Sequence, residues 1–281
     1  MQYADQLARP FSGDVAERQA RVARRLSSSA VLAEPFRRLA YDSSEGWAWD
    51  NYRAIVLALA HARRAMRRRQ GDTVRMLEIG GGRGPLLRPA EAAAAGIAVT
   101  VNDIDARELS LGPREFDKAQ FDIAGAAPAA RLGQFDVVVS RMVMEHVADG
   151  RKAWSNMAAL LAPGGIAMAF HPTLYAPPFI VNRLLPEALT ARVLRFFFPG
   201  RHDGGYPKFP ARYELCVSNL DRIAPILAEC GFSEVLIAPI WGHGYFRHVP
   251  IVREMDAALQ RLAEARDWRW LSTYAFTLAR R

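Results

Sequence analysis

The sequence predicts an α/β fold built on a parallel sheet buried on both faces, and three observations predict it. From Val74 onward, apolar and β-branched runs recur between helix-length connections, the rhythm of βαβ units. The first run leads into MLEIGGGRGPLL (76–87), with four glycines in five positions between a strand pattern and a helix-compatible one. The chain has 281 residues, 51% of them hydrophobic. That suits one large domain with added segments better than two independent ones.

Residues 1–72 read as an N-terminal cap and helix. YDSSEGWAWDNY (41–52) contains a helix start with Ser43 or Ser44 as N-cap. A helical pattern follows from Gly46 to Arg69, with Trp49, Ile55, Val56 and Leu59 at apolar positions and arginines crowding the last turns, where they complement the negative end of the helix dipole. QGD (70–72) breaks it.

The main domain is expected over 73–281. VRMLEIG (74–80) reads as a strand and PLLRPAEAAAAG (85–96) as a helix with Pro85 at its first position, where a missing N–H costs nothing. IAVTVND (97–103) is a strand, 105–116 a weak helix, AQFDI (119–123) a strand, FDVVVSR (135–141) a strongly β-branched strand and 149–161 a helix. PGG (163–165) turns into the strand IAMAFH (166–171). The rhythm then stops over an insertion, 172–217, punctuated by prolines. It resumes with a helix at 218–231, the strand FSEVLIAPI (232–240), a helix at about 251–266 and an alternating stretch, WRWLSTYAFTLAR (268–280), suited to a strand inserted at a sheet edge.

Composition narrows the function. Two cysteines, Cys216 and Cys230, make no disulfide framework and have no zinc-ligand spacing, which suits a reducing, cytoplasmic setting. The start, MQYADQLARPFSGDVAERQ, lacks the apolar region of a cleaved signal, and no apolar stretch is long enough to span a membrane. The net charge is +8, nearly all from arginine, since Lys118, Lys152 and Lys208 are the only lysines. The basic runs RVARR (21–25) and HARRAMRRR (61–69) are read first as solvated helix faces and second as a surface for anionic membrane. No nucleic-acid partner is expected, because no recognition motif accompanies the charge. The sequence leaves the oligomeric state open.

A glycine-rich strand-to-helix turn lets the backbone approach a ligand and aims helix N–H groups at it. The glycines at 80, 82 and 84 give G-x-G-x-G rather than the dinucleotide spacing. Asp103 lies nineteen residues beyond Gly84, at the end of the second strand, where an acid can accept from ribose hydroxyls; Asp122 and Ile123 end the third, where an acid can accept from an adenine amino group. The loop is therefore expected to hold an adenosine without a pyrophosphate.

With these pieces in order, the sequence is similar to the class I S-adenosylmethionine-dependent methyltransferases. LEIGGGRG resembles the cofactor loop, TVNDID the ribose acid, QFDI the adenine-side acid, FDVVVSRMVMEHV the fourth strand and its following segment, and LLAPGGIAMAF the fifth strand. The resemblance implies a Rossmann-like, doubly wound seven-stranded sheet with the last strand antiparallel, and S-adenosyl-L-methionine as cofactor. It implies cofactor contacts from Glu78, Gly80, Gly81, Gly82, Asp103, Ile104, Asp122, Ile123, Ser140 and Arg141. Glu78 would fix the loop or receive the cofactor's ammonium, and strand register favours Asp103 over Asp105 at the ribose. Arg83 is expected to face solvent, with a carboxylate partner as the alternative.

Methyl transfer needs alignment and, for a protonated acceptor, a base. Residues at the carboxyl ends of strands four and five are the candidates: His171 and His146 as bases, nearly level, with Tyr175 and Glu145 as positioning groups. His202, Asp203 and His243 fall on loops over the site, and no spacing among these residues supports a metal. SRMVME stands where amino methylases carry an Asn/Asp-Pro-Pro-Tyr/Phe piece. The expected reaction is therefore O-methylation of a small or lipid-linked, sugar-like acceptor, with C-methylation of a prenylated or phenolic ring as the alternative. A binding protein that has kept the fold and lost catalysis is the non-enzyme alternative. FIVNRLLPEALTARVLRFFFPGR (179–201) and the stretch 245–270 mix apolar residues with arginine. They are read as lid helices, or as peripheral contacts with an anionic membrane.

Overall fold

The structure is a computed structural model that describes residues 29–66, 73–176, 210–246 and 249–281. RVARR, His202, Asp203 and the segment 179–201 lie outside the described residues. Two helices come first. α1 (Ala30–Arg38) is capped by Ser29, whose Oγ accepts from Leu32 N. α2 (Glu45–Ala65) is capped by Ser44, which accepts from Trp47 N at 3.2 Å. Of the two serines offered by the sequence, Ser44 is the cap, and Ser43 instead donates to Glu264.

A seven-stranded sheet follows: β1 (Val74–Ile79), β2 (Ile97–Asp103), β3 (Asp117–Gln120), β4 (Phe135–Arg141), β5 (Leu161–Pro172), β6 (Glu234–Ile240) and β7 (Tyr274–Arg280). The order is β3-β2-β1-β4-β5-β7-β6. β1 to β5 pair in parallel, and β7 runs antiparallel to both β5 and β6. The connecting helices are α3 (Pro89–Ala94), α4 (Ala106–Leu111), α5 (Gly150–Leu160), α6 (Leu220–Glu229) and α7 (Pro250–Ala265). The strand order reverses between β1 and β4, and the crevice above such a reversal is where open α/β sheets bind ligands.

β4 is buried along its whole length up to Arg141, as its β-branched run requires. One face of β5 and β7 presents aromatics. Phe170 stacks on Phe276 at 4.5 Å, and Phe36 of α1 and Tyr52 of α2 pack on Phe276 at 5.5 and 6.0 Å. Such pairs add about 0.5–1.5 kcal/mol each beyond area burial. Leu32, Phe36, Tyr52, Ile55 and Leu59 share one core with the strands.

Three local expectations are corrected. The helix expected from Pro85 begins at Pro89, because the N–H of Leu86 is taken by the Glu78 carboxylate and Leu86 and Leu87 sink into the core as irregular chain. The third strand ends at Gln120, so Asp122 and Ile123 lie beyond it. Asn102 Nδ2 donates to the carbonyls of both Ala119 and Phe121, drawing the chain away from the ladder. The arginines of HARRAM are not simply solvated. Arg63 is buried, donates to Pro163 O at 2.6 Å and lies 3.5 Å from the fully buried Asp136, while Arg64 donates to the carbonyls of Ala95 and Gly96.

Removing one partner of a buried ion pair leaves the other charge uncompensated, at a cost of about 3–5 kcal/mol. Arg63→Met should lower stability by roughly that amount. Thermal denaturation should then show a drop of about 6–20 °C, at 2–4 °C per kcal/mol for a domain this size. Cofactor affinity, measured at the far end of the sheet, should be unchanged.

Candidate functional site

The parallel strands bring their carboxyl ends to one rim, and the glycine loop lies across it. Gly80 and Gly82 have φ of +68° and +44°, a region open to glycine at little steric cost. A Cβ at Gly80 would strike the Val143 side chain, one at Gly81 would lie 2.9 Å from Val101 and 3.1 Å from Glu78, and one at Gly82 would lie 2.8 Å from Asp103 Oδ2. Beneath the loop, Glu78 lies one residue from the end of β1 with both oxygens 2.9–3.0 Å from Leu86 N. Burial pushes its carboxyl up to about 7, against the Leu86 N–H and the nearby Arg141. Glu78 therefore ties the loop, one of the two roles expected of it.

Asp103 closes β2 with Oδ2 facing Gly82, while its Oδ1 accepts from Asp105 N at 3.0 Å. Asp105 is otherwise engaged, since its carboxylate caps α4 through Arg107 N at 2.7 Å. Ile104 is half exposed on the rim. Asp122 is exposed and accepts from Ala124 N, and Ile123 is buried below it. Arg83, expected in solvent, makes a two-pronged bond to Glu108, with Nε to Oε2 at 2.6 Å and Nη2 to Oε1 at 2.5 Å. Glu108 was not singled out in the sequence, although a lone arginine in a glycine loop followed by Asp-x-x-Glu was a usable signal.

At the end of β4, Tyr52 donates to Ser140 O at 3.2 Å, and the Arg141 guanidinium lies 5.8 Å from the Tyr52 ring centre. Ser140 Oγ is buried and has no hydrogen-bond partner among the described residues. Met142 has φ +55° and donates its N–H to Phe170 O. Glu145 is buried, and its Oε2 also lacks a partner among the described residues. Its other oxygen is 3.8 Å from His146 Nε2, and His146 Nδ1 lies 3.3 Å from Pro210 O. Burial drives the Glu145 carboxyl up to about 8.

His171 sits differently. It is fully enclosed, with Nδ1 3.1 Å from Pro172 O and Nε2 3.0 Å from Thr277 Oγ1, and burial pushes it down to about 4. Tyr175 is half-buried and its hydroxyl accepts from Arg222. His243 pairs with Asp256 at 3.2 Å, beneath Tyr245 and Phe246. Among the described residues no cluster of three or more His, Cys, Asp or Glu could hold a metal, and no helix is long and apolar enough to cross a membrane. Trp49, read from periodicity as apolar, is 42% exposed at the rim while its ring meets Phe170 edge-on at 5.1 Å.

The family described as Methyltransferase domain matches residues 33–197, more than half of the chain. The chain belongs to this family. Its sheet is the Rossmann-like, seven-stranded one of the class I S-adenosylmethionine-dependent methyltransferases. The chain is 33% identical over 145 residues to a ubiquinone biosynthesis O-methyltransferase of Caulobacter sp. (strain K31), covering 47% of this chain and 52% of that one. It is 36% identical over 140 residues to the protein of the same description in Caulobacter vibrioides, covering 46% and 51%. The chain thus spans about half the length of these curated relatives. Among solved structures, the methyltransferase fold overlays the citrinin polyketide synthase CMeT domain with a TM-score of 0.51 at 11% identity, covering 84% of this chain and 54% of that one.

The raised carboxyl of Glu145 has a stability consequence. The folded protein binds this proton up to about pH 8, whereas the unfolded chain releases it near pH 4.3. Its contribution therefore falls as pH rises between those values and is flat above. Glu145→Gln, which cannot ionise, should melt close to wild type at pH 5. At pH 8.5 it should be more stable, by an amount on the order of 2–5 kcal/mol. Paired melting curves across this range check the sign.

Proposed function

We propose that this methyltransferase transfers a methyl group to an oxygen of a small or lipid-linked acceptor, with His146 taking the hydroxyl proton. One observation carries the reading. At the end of β4 a buried carboxyl, Glu145, has an oxygen with no partner among the described residues and lies against a half-exposed histidine. A neutral imidazole on the rim can accept a proton as the oxygen is alkylated, and the Pro210 carbonyl at Nδ1 leaves Nε2 as the nitrogen that takes it, with the polar Glu145 carboxyl 3.8 Å away. The names of the Caulobacter relatives favour oxygen over carbon. Exposed Ile251, Met255 and Leu262 along α7 support an apolar, lipid-linked acceptor.

The residues present fit the cofactor. Gly80–Gly82 leave bare backbone, Asp103 aims an oxygen at Gly82, and Ser140 Oγ is buried without a partner among the described residues. When bound, S-adenosylmethionine supplies an electrophilic methyl on a sulfonium. Asp103 would accept from the ribose hydroxyls, Ile104 and Ile123 would pack on the adenine with Asp122 at its amino edge, and Ser140 and Arg141 would meet the amino-acid end. Glu78 lies beneath that end, at the distance of one glycine. His171 is assigned a structural role, joining β5 to β7 through Thr277. Tyr175 is assigned to the acceptor's outer edge.

A second reading, methylation of a carbon on a phenolic ring, is favoured by the aromatic wall of Trp49, Phe170 and Tyr274 at the rim. A protein that binds the cofactor and has lost catalysis is the third.

Charge-assisted hydrogen bonds are worth roughly 1.5–3 kcal/mol. Asp103→Ala should therefore weaken S-adenosylhomocysteine binding about tenfold to a hundredfold by calorimetry. Asp105→Ala should leave affinity near wild type and cost about 1 kcal/mol of stability as a lost cap.

The reaction itself is tested with labelled cofactor and a panel of sugar, phenolic and prenylated acceptors. Heating the product with hydriodic acid releases methyl iodide from an ether and leaves a carbon-bound methyl in place. We expect label in methyl iodide; retained label would establish the ring-carbon reading, and no transfer to any acceptor would support the binding protein. His146→Ala should lose about 10²–10⁴ in turnover with its melting temperature preserved. His171→Ala should lose stability and keep the turnover of its folded fraction; the reverse pattern would return the base to His171.

A further inference from the structure

Arg83 is the one residue between Gly80 and Gly84 with a side chain, and it is anchored rather than free. Its fork on Glu108 uses two parallel bonds of 2.5–2.6 Å, and the Glu108 side chain is only 7% exposed. Geometry of this kind distinguishes a working ion pair from an ordinary surface bridge. The loop also rests on α4 at two other points. A Cβ at Gly82 would lie 3.2 Å from Glu108 Cβ, and one at Gly112 would lie 2.7 Å from Gly82 O. Gly82 is therefore enclosed by Asp103 on one side and Glu108 on the other.

Glu108 is also a like charge facing Asp103. Asp105 is a second, and the N–H groups of Asp105 and Ile104 oppose them. Around Glu108 the charged neighbours are Arg83, Asp105 and Arg107. Burial and these acids together raise Asp103, while the Arg83 bonds hold Glu108 low.

We propose that Arg83 and Glu108 form a positioning clamp that holds the cofactor loop against α4 and neutralises Glu108 beside Asp103, so that Asp103 stays an ionised acceptor for the ribose. The proposal rests on the ribose reading of Asp103. Glu108 supplies the anchor and is also the hazard, because without its arginine it is an unpaired negative charge next to the carboxylate that must stay ionised. Arg83 answers both, since one fork fixes the loop and cancels the charge.

The test measures S-adenosylhomocysteine affinity by calorimetry from pH 5 to 9, in wild type and in the Arg83→Met, Arg83→Lys, Glu108→Gln, Arg83→Met/Glu108→Gln and Asp103→Ala variants. Arg83→Met should weaken binding about tenfold at pH 7, and the loss of affinity on acidification should begin at higher pH than in wild type. Arg83→Lys should fall between them, because a lysine keeps the charge without the fork. The double variant should recover the wild-type pH dependence while staying weaker, because the like charge has gone and the anchor has not returned. Arg83→Met within twofold of wild type at every pH overturns the clamp, even where Asp103→Ala has lost binding. A pH dependence that the double variant does not recover overturns the neutralising role. Asp103→Ala binding as wild type overturns the ribose reading instead.

Discussion

The site depends on one buried carboxylate. Glu78 lies one residue from the end of β1, an inner strand of the sheet, and the N–H of Leu86, eight residues on, meets both of its oxygens. A buried acid with so little to satisfy it constrains everything above it. To deliver Leu86, the chain must turn back over the strand end at once, which leaves Gly81 against Glu78 itself, with no room for a side chain. Its neighbours answer to other strands, Gly80 to Val143 beyond β4 and Gly82 to Asp103 at the end of β2. The loop is thus keyed to three strands, and its shape is as reliable as their register. A bare backbone ready for a ligand is the by-product of packing demands made from below.

What the sequence could disclose follows the range of the interactions involved. β2 and β4 are legible to the residue, because strands buried on both faces announce themselves as apolar and β-branched runs. The helix start at Pro85 is misread because its local pattern is overruled by Glu78, a contact no window of helical periodicity contains. β3 is displaced because an edge strand has one neighbour to hold it, and Asn102 draws its end away. The arginines after His61 read as a solvated run, since their acceptors, Asp136, Pro163 and the carbonyls of Ala95 and Gly96, come from distant turns. Likewise the sequence places His146 and His171 alike after a strand. It cannot reveal that Thr277, 106 residues later, closes the ladder on one of them.

Those arginines also change the meaning of the net charge. Arg63 and Arg64 are spent at the amino ends of the strands, while the opposite rim gathers Glu78, Asp103, Asp105, Glu108, Asp122 and Glu145. A chain of charge +8 therefore presents an acid-rich rim around its glycine loop. That polarity suits a cofactor carrying a sulfonium and an ammonium, and it explains why basic composition alone is poor evidence for an anionic partner. Arg83 and Arg141 are basic residues on that rim. Each lies against a carboxylate or an aromatic ring, where it tempers the acids without reversing the field.

The same reasoning separates the two histidines. A general base has to carry a positive charge for an instant, so its surroundings in the charged state matter more than its closeness to a strand end. Around His171 the available partners are a carbonyl and a hydroxyl, both neutral, in a site closed to water, which is why its proton is released as low as about 4. An imidazolium there would stand almost unscreened. His146 is open to solvent on one side and has the Glu145 carboxyl within 3.8 Å on another. That carboxyl is held neutral by burial at rest. In the proposed reaction that neutral carboxyl stays a polar neighbour of the ring, and the positive charge His146 gains is stabilised by the solvent on its open side and the Pro210 carbonyl at Nδ1. For the reaction proposed, the ring that can hold a proton for an instant is the one water can reach, and of the two histidines that is His146.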